Sequence, residues 1–232
     1  KMKKKLISFL TAAALSMTMA SSLVPSISVS AAANTNAETS DTASDATNIT
    51  LGDSITVNGS GAEVSGNTVT ITAAGNYNIS GTLTDGQIIV NSSDSDSVKI
   101  TLNGVNLTSS TSAPIYVVNA DKTVITLAEG TTNYVTDAST YVYADSSTDE
   151  PDAAIFSKDD LTFKGTGSLI VNGNFNDGIK SKDDLVINGP AINVTAKNDG
   201  IKGKDSVKVK DGNITVTAGQ DGIKSTNDSD TS

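Results

Sequence analysis

The chain has 232 residues, 26 of them acidic and sixteen of them basic, all lysine, for a formal net charge of −10; histidine, cysteine, tryptophan and arginine are absent. Without cysteine there is no disulfide framework and no thiolate metal site, so oxygen atoms are the only realistic metal donors. Residues 32–152 hold fifteen acids against Lys99 and Lys122, and residues 153–232 hold eleven acids against ten lysines. The chain after residue 31 is thus strongly acidic, which disfavours nucleic acid and anionic membrane surfaces as partners.

Residues 1–31 read as a signal peptide. Lys1, Lys3, Lys4 and Lys5 precede an apolar run from Leu6 to Val24, and small residues follow at Val29-Ser30-Ala31-Ala32-Ala33. The expected location is secreted, extracellular or cell-surface associated, with no membrane insertion after signal removal. Residues 32–48 are small and polar without apolar period, the composition of a disordered linker. From residue 49 to 232 short alternating runs recur, among them Val69-Thr70-Ile71, Tyr77-Asn78-Ile79, Val98 to Leu102 and Val124 to Leu127. Gly, Asn, Asp and Ser bound them, as turns bound strands. No stretch beyond the signal shows a helical period.

The second half of the chain repeats. Asp177-Gly178-Ile179-Lys180 recurs as Asp199-Gly200-Ile201-Lys202 and as Asp221-Gly222-Ile223-Lys224, a spacing of 22 residues, with a degenerate copy from Ala154 to Leu161. Alignment stacks Ile155, Ile179, Ile201 and Ile223 in one column. Others hold Leu161, Leu185 and Val207; Phe163, Ile187 and Val209; Ile192 and Ile214; and Val194 and Val216. A unit of this length has room for three short strands and none for a helix, and it must stack on neighbours to bury its apolar side. The expected fold is all-β, a parallel β-helix with coils of about 22 residues. Glycine recurs at the Asp-Gly corners, where positive φ is expected. The last residues, 225–232, read as a coil begun and not finished, so truncation at the C-terminus is expected.

The segment STDEPDAAIFSKDDLTFKGTGSLIVNGNFNDGIKSKDDLVING, with the two later Asp-Gly-Ile-Lys coils, resembles the calcium-binding, carbohydrate-binding β-helix family of cellulolytic clostridia. The resemblance covers about a third of the chain. It implies a right-handed parallel β-helix carrying calcium, and a secreted, non-catalytic module that binds acidic plant polysaccharide such as polygalacturonate, and cellulose.

Several residues are candidates for that chemistry. Asp177, Asp199 and Asp221 form a carboxylate column at ~4.8 Å steps, a spacing at which a calcium ion with Ca–O distances of about 2.4 Å can bridge two layers. Asn176 and Asn198 would add oxygens. The alternative is that these aspartates are solvated turn residues. A second acidic column holds Asp159, Asp183 and Asp205, with Asp160 and Asp184 beside it. It is expected to face the lysines Lys180, Lys202 and Lys224, either as a self-neutralising surface or as a ladder that follows a linear polyanion. The loop 137–152, DASTYVYADSSTDEPD, interrupts the strand rhythm; Glu150 and Asp152 are metal candidates there, and Tyr141 and Tyr143 are candidates to stack on a sugar.

Two other functions compete. Pectate lyases and polygalacturonases share the β-helix, but the lyases abstract a proton with arginine or a tuned lysine and the hydrolases combine aspartates with histidine and arginine; without arginine and histidine this chain is left with lysine bases and carboxylate pairs. A structural adhesin or filament subunit is the third reading.

Overall fold

The structure, a computed structural model, describes residues 46–145 and 147–227. The expected signal peptide, all but the last three residues of the expected linker, and residues 228–232 of the last expected coil lie outside these. The first strand begins at Thr47, two residues before the expected domain start.

Among the described residues eighteen strands form two sheets. The ten-stranded sheet holds β1 (Thr47–Leu51), β2 (Thr56–Asn58), β5 (Gly75–Leu83), β7 (Ser97–Thr108), β9 (Lys122–Leu127), β10 (Thr132–Thr136), β12 (Asp160–Gly165), β13 (Ser168–Gly173), β15 (Asp184–Ala196) and β17 (Ser206–Ala218). The eight-stranded sheet holds β3 (Ala62–Ser65), β4 (Thr68–Ile71), β6 (Gln87–Asn91), β8 (Ile115–Asn119), β11 (Ala153–Ser157), β14 (Asp177–Ser181), β16 (Ile201–Gly203) and β18 (Ile223–Ser225). All pairings are parallel except β1 with β2 and β3 with β4.

The strands follow from period-two alternation, which turns every second residue inward. The inward residues are the aligned columns: Ile155 pairs Ile179, which pairs Ile201 and then Ile223. Leu161 and Phe163 pair Leu185 and Ile187, and these pair Val207 and Val209. Most of these side chains are fully buried in one cluster, each contributing about 1.5–3 kcal/mol of apolar transfer.

The pairing overturns the expected right-handed parallel β-helix. That expectation kept three short strands per coil, each in its own ladder. Instead β7 and β15 run through bends and pair in both halves. As a result β7, β9, β12, β15, β13 and β10 hydrogen-bond in a closed ring of six parallel strands, with the eight-stranded sheet beside it. The bend in β15 falls at Gly189, whose φ of 110° suits glycine. The short-strand expectation failed because the alternation in DLVINGPAINVTA was read as two elements, whereas the chain passes from one half to the other within one strand.

The Asp-Gly corners need another explanation than positive φ, which none of Gly178, Gly200 and Gly222 adopts. A Cβ on Gly178 would stand 2.3 Å from Val194 Cγ1 and 2.7 Å from the Gly200 carbonyl oxygen. Close approach between layers is what demands glycine there.

Candidate functional site

Register gathers the predicted charged residues on the outward side of the eight-stranded sheet. Tyr116, Phe156, Lys180, Lys202 and Lys224 follow one another from β8 through β11, β14 and β16 to β18. Lys180 does not face the Asp183 column. Its Nζ lies 2.8 and 2.7 Å from the two carboxylate oxygens of Asp152 and 5.6 Å from the centre of the Phe156 ring. Lys202 Nζ donates to Asp199 Oδ2 at 3.0 Å and stands 3.8 Å from Asp177 Oδ2. Lys224 repeats this one layer on, 2.8 Å from Asp221 and 3.8 Å from Asp199. The expected pairing of these lysines with Asp183 and Asp205 is corrected, because Lys202 and Lys224 each reach back to the aspartate three residues before, while Lys180 reaches Asp152.

The aspartates are held as tightly. Asp177 and Asp199 are 0 % and 2 % exposed. Asp177 Oδ1 accepts from the Asn198 amide at 2.8 Å and the Asp199 N–H at 3.0 Å, while its buried Oδ2 has no hydrogen-bond partner. Asp199 Oδ1 accepts from the Asp221 N–H at 3.2 Å, and the Asn176 amide donates to Asp152. Burial pushes the Asp177 carboxyl above its usual range against the opposing pull of Asn198, the Asp199 N–H and Lys202. Burial also acts to raise Asp199, but Lys202, the Asp221 N–H and Lys224 outweigh it and hold that carboxyl low.

A calcium ion in this column would require six or more oxygens around one point. Here each buried carboxylate turns one oxygen to an N–H and the other toward an ammonium, and both asparagines present their amide N–H groups. Among the described residues no three acidic side chains gather closely enough to share a metal. Glu150 accepts from Lys182 at 2.6 Å, and that bond holds the Lys182 ammonium above its usual range. Asp183 is pushed up by burial and by the charges of Asp160 and Asp205, a crowding of carboxylates without a cage.

The loop tyrosines are not presented to a ligand as expected. Tyr141 is buried, stacked on Phe175 with ring centres 4.1 Å apart, and its hydroxyl donates to buried Asp137 at 2.7 Å. Burial, then the Asp137 charge, pushes its phenol far up. Half-buried Tyr143 donates to the Pro151 carbonyl at 2.9 Å. Both rings fasten the loop down instead of offering it.

A different face stands out. β10, β13, β15 and β17 turn outward Thr132, Tyr134 and Thr136; Ser168, Ile170 and Asn172; Ala191, Asn193 and Thr195; and Asn213, Thr215 and Thr217. None is charged. Tyr134, Ile170, Asn193 and Thr215 form one column in register, continued on the other side of Tyr134 by Asn106. A shallow groove runs along it, and Tyr134 is 42 % exposed there. The signal lay in the sequence: TNYVT, SLIVN, AINVT and NITVT align with their apolar residues inward and these residues outward.

Comparison with known proteins finds similar chains. A chain from Acetivibrio thermocellus described as a carbohydrate-binding domain-containing protein is 46 % identical over 136 residues, which are 59 % of this chain. The present chain spans about half, 48 %, of that relative's length. The solved structure of the polysaccharide lyase-like protein from C. thermocellum, as a gadolinium derivative, superposes with a TM-score of 0.78 at 44 % identity. The match covers 79 % of this chain and 75 % of that one. The fold is therefore that of the lyase-like protein, not the expected β-helix. The profile of the family described as carbohydrate-binding domain-containing protein matches residues 65–232, nearly three quarters of the sequence, and the chain belongs to that family.

Proposed function

We propose that this chain is an exported, non-catalytic module that holds a neutral polysaccharide against the uncharged face of β10, β13, β15 and β17. The observation that carries the reading is the charge-free column around exposed Tyr134. A sugar ring has an apolar face that stacks on an aromatic ring and a rim of hydroxyls that meets amide and hydroxyl groups. Tyr134 and Ile170 supply the first, and Asn106, Asn193 and Thr215 the second. Successive layers repeat at about 4.8 Å, so a linear polymer lying across the strands meets a new side chain of the column at each layer.

The lysines support an acidic ligand less well, since the ammonium groups of Lys180, Lys182, Lys202 and Lys224 are each paired with a carboxylate. A net acidic chain also repels a polyanion. One observation keeps polygalacturonate as the second reading: Lys180, Lys182, Lys202 and Lys204 line a groove with Ser181 and Thr226. The lyase-like neighbour prompts the question of catalysis. Proton abstraction from a uronate needs a base whose pKa lies near working pH. Lys182 and Lys224 are held above their usual range by Glu150 and Asp221, the wrong direction for that task.

Affinity electrophoresis separates the two ligands. In gels containing soluble neutral β-glucan the protein is expected to be retarded, and Tyr134→Ala to weaken binding roughly tenfold, about 1.4 kcal/mol. Retardation only by polygalacturonate, lost in Lys182→Ala with Lys204→Ala and kept in Tyr134→Ala, transfers the site to the lysine groove.

A further inference from the structure

We propose that the turn lysines Lys158, Lys182 and Lys204 form a second ligand site, a cation ladder for a carboxylate-bearing polysaccharide, and that Glu150 of the loop 137–152 occupies its middle rung as an internal competitor. The inference rests on the second of the two ligand readings and on no residue of the uncharged face.

The repeat builds the ladder. Each of the three lysines follows a strand of the eight-stranded sheet by one residue, after β11, β14 and β16 in turn. Their main chains stack from layer to layer: the Lys158 N–H donates to the Val117 carbonyl at 3.0 Å, that of Lys182 to Ser157 at 2.9 Å, and that of Lys204 to Ser181 at 3.0 Å. The lysines therefore succeed one another at steps of about 4.8 Å. Lys182 and Lys204 line one groove with Lys180 and Lys202, but those two are held by Asp152 and Asp199. The aspartates that follow the ladder lysines turn elsewhere. Asp159 accepts from the Ala120 N–H and Asp183 from the Asp184 N–H, each at 3.0 Å, and Asp205 lies beside Asp183.

Ammonium groups in consecutive layers repel unless an anion lies among them. The protein supplies that anion to one rung only. Lys182 Nζ donates to Glu150 Oε1 at 2.6 Å. Lys158 and Lys204 are exposed and, among the described residues, form no ion pair; the Lys158 ammonium stands 6.0 Å from the centre of the Tyr116 ring. The Lys182–Glu150 pair is itself open to solvent, with side chains 41 % and 23 % exposed, and such a pair yields readily to a competing anion. Both ends of the loop are fixed independently of it. Tyr141 stacks on Phe175, and the Asp152 carbonyl accepts from the Asp177 N–H at 3.1 Å. Displacing Glu150 thus requires one side chain to turn away, not the loop to unfold. A polymer of uronic acid carries a carboxylate on every sugar, and one laid across the layers would meet a cation at each. At these distances, well inside a Debye length of about 8 Å, the local lysines outweigh the acidic mean field.

Affinity electrophoresis in polygalacturonate at low salt tests this. Glu150→Gln is expected to be retarded roughly fivefold more strongly than the unaltered protein. Glu63→Gln makes the same charge change on exposed β3 at the opposite end of the sheet and is expected to gain nothing. Lys158→Ala with Lys204→Ala, both at exposed positions, is expected to abolish the gain, and fully methyl-esterified polymer to retard none of these proteins. Tyr134→Ala is expected to keep the gain, and retardation by neutral β-glucan bears on Tyr134 alone, so the two sites fail separately. No gain in Glu150→Gln overturns the inference, as does an equal gain in Glu63→Gln. Equal retardation by polyglutamate reduces the ladder to charge alone and overturns its assignment to a polysaccharide.

Discussion

Asp199 shows how one side chain reports on its surroundings. Lys202, Lys224 and the Asp221 N–H outweigh its burial and hold its carboxyl below the usual range. A depressed folded value means that the ionised group stabilises the fold above the unfolded value near 3.9 and that this contribution is lost as pH falls through the folded value. Asp199→Asn is therefore expected to cost about 2 kcal/mol at neutral pH, with the gap to the unaltered protein closing below about pH 4. Urea titrations at several pH values check this, and a gap independent of pH would refute it. The aspartates and lysines were legible from the repeat, but their pairing was not. Strand alternation puts residues three apart on opposite faces, yet Asp199 precedes β16, where alternation does not hold, and a lysine stem is long enough to reach back.

Elements show the same division between pattern and path. The apolar columns predicted from the 22-residue period are the register partners found, because a one-residue slip would turn every one of them to solvent. The closed ring of six strands was not legible, since it depends on β7 and β15 bending without a break, and a short alternating run looks the same on either side of a bend. The corner glycines were legible as residues and misread in cause. Gly200→Ala would bring a Cβ within 2.2 Å of Val216 Cγ1 and 2.6 Å of the Gly222 carbonyl oxygen, whereas a Cβ on Gly222 meets nothing within 4 Å. Gly200→Ala is expected to lower stability by about 1–3 kcal/mol and Gly222→Ala to have little effect. Equal losses in calorimetry would return the explanation to backbone conformation. Loop 137–152 was recognised as an interruption, but Tyr141 stacks on Phe175, a partner outside the loop that no local motif reveals.

For the whole molecule, charge and its absence divide the surface. The eight-stranded sheet turns outward a ladder of lysines neutralised by aspartates, and the stretches 132–136, 168–172, 191–195 and 213–217 of β10, β13, β15 and β17 turn outward no charge at all. Sequence composition drew attention to the first because charged residues announce themselves. The second is built mainly from threonine and asparagine around Tyr134 and Ile170, residues that pass for ordinary strand exteriors until register aligns them. The central claim, that the uncharged face holds the polysaccharide, is tested most directly by titrating the isotope-labelled protein with a neutral β-glucan oligosaccharide and following backbone amide shifts in chelator. The account predicts shifts concentrated at residues 132–136, 168–172, 191–195 and 213–217. Shifts confined to residues 180–182 and 202–204 instead would contradict it.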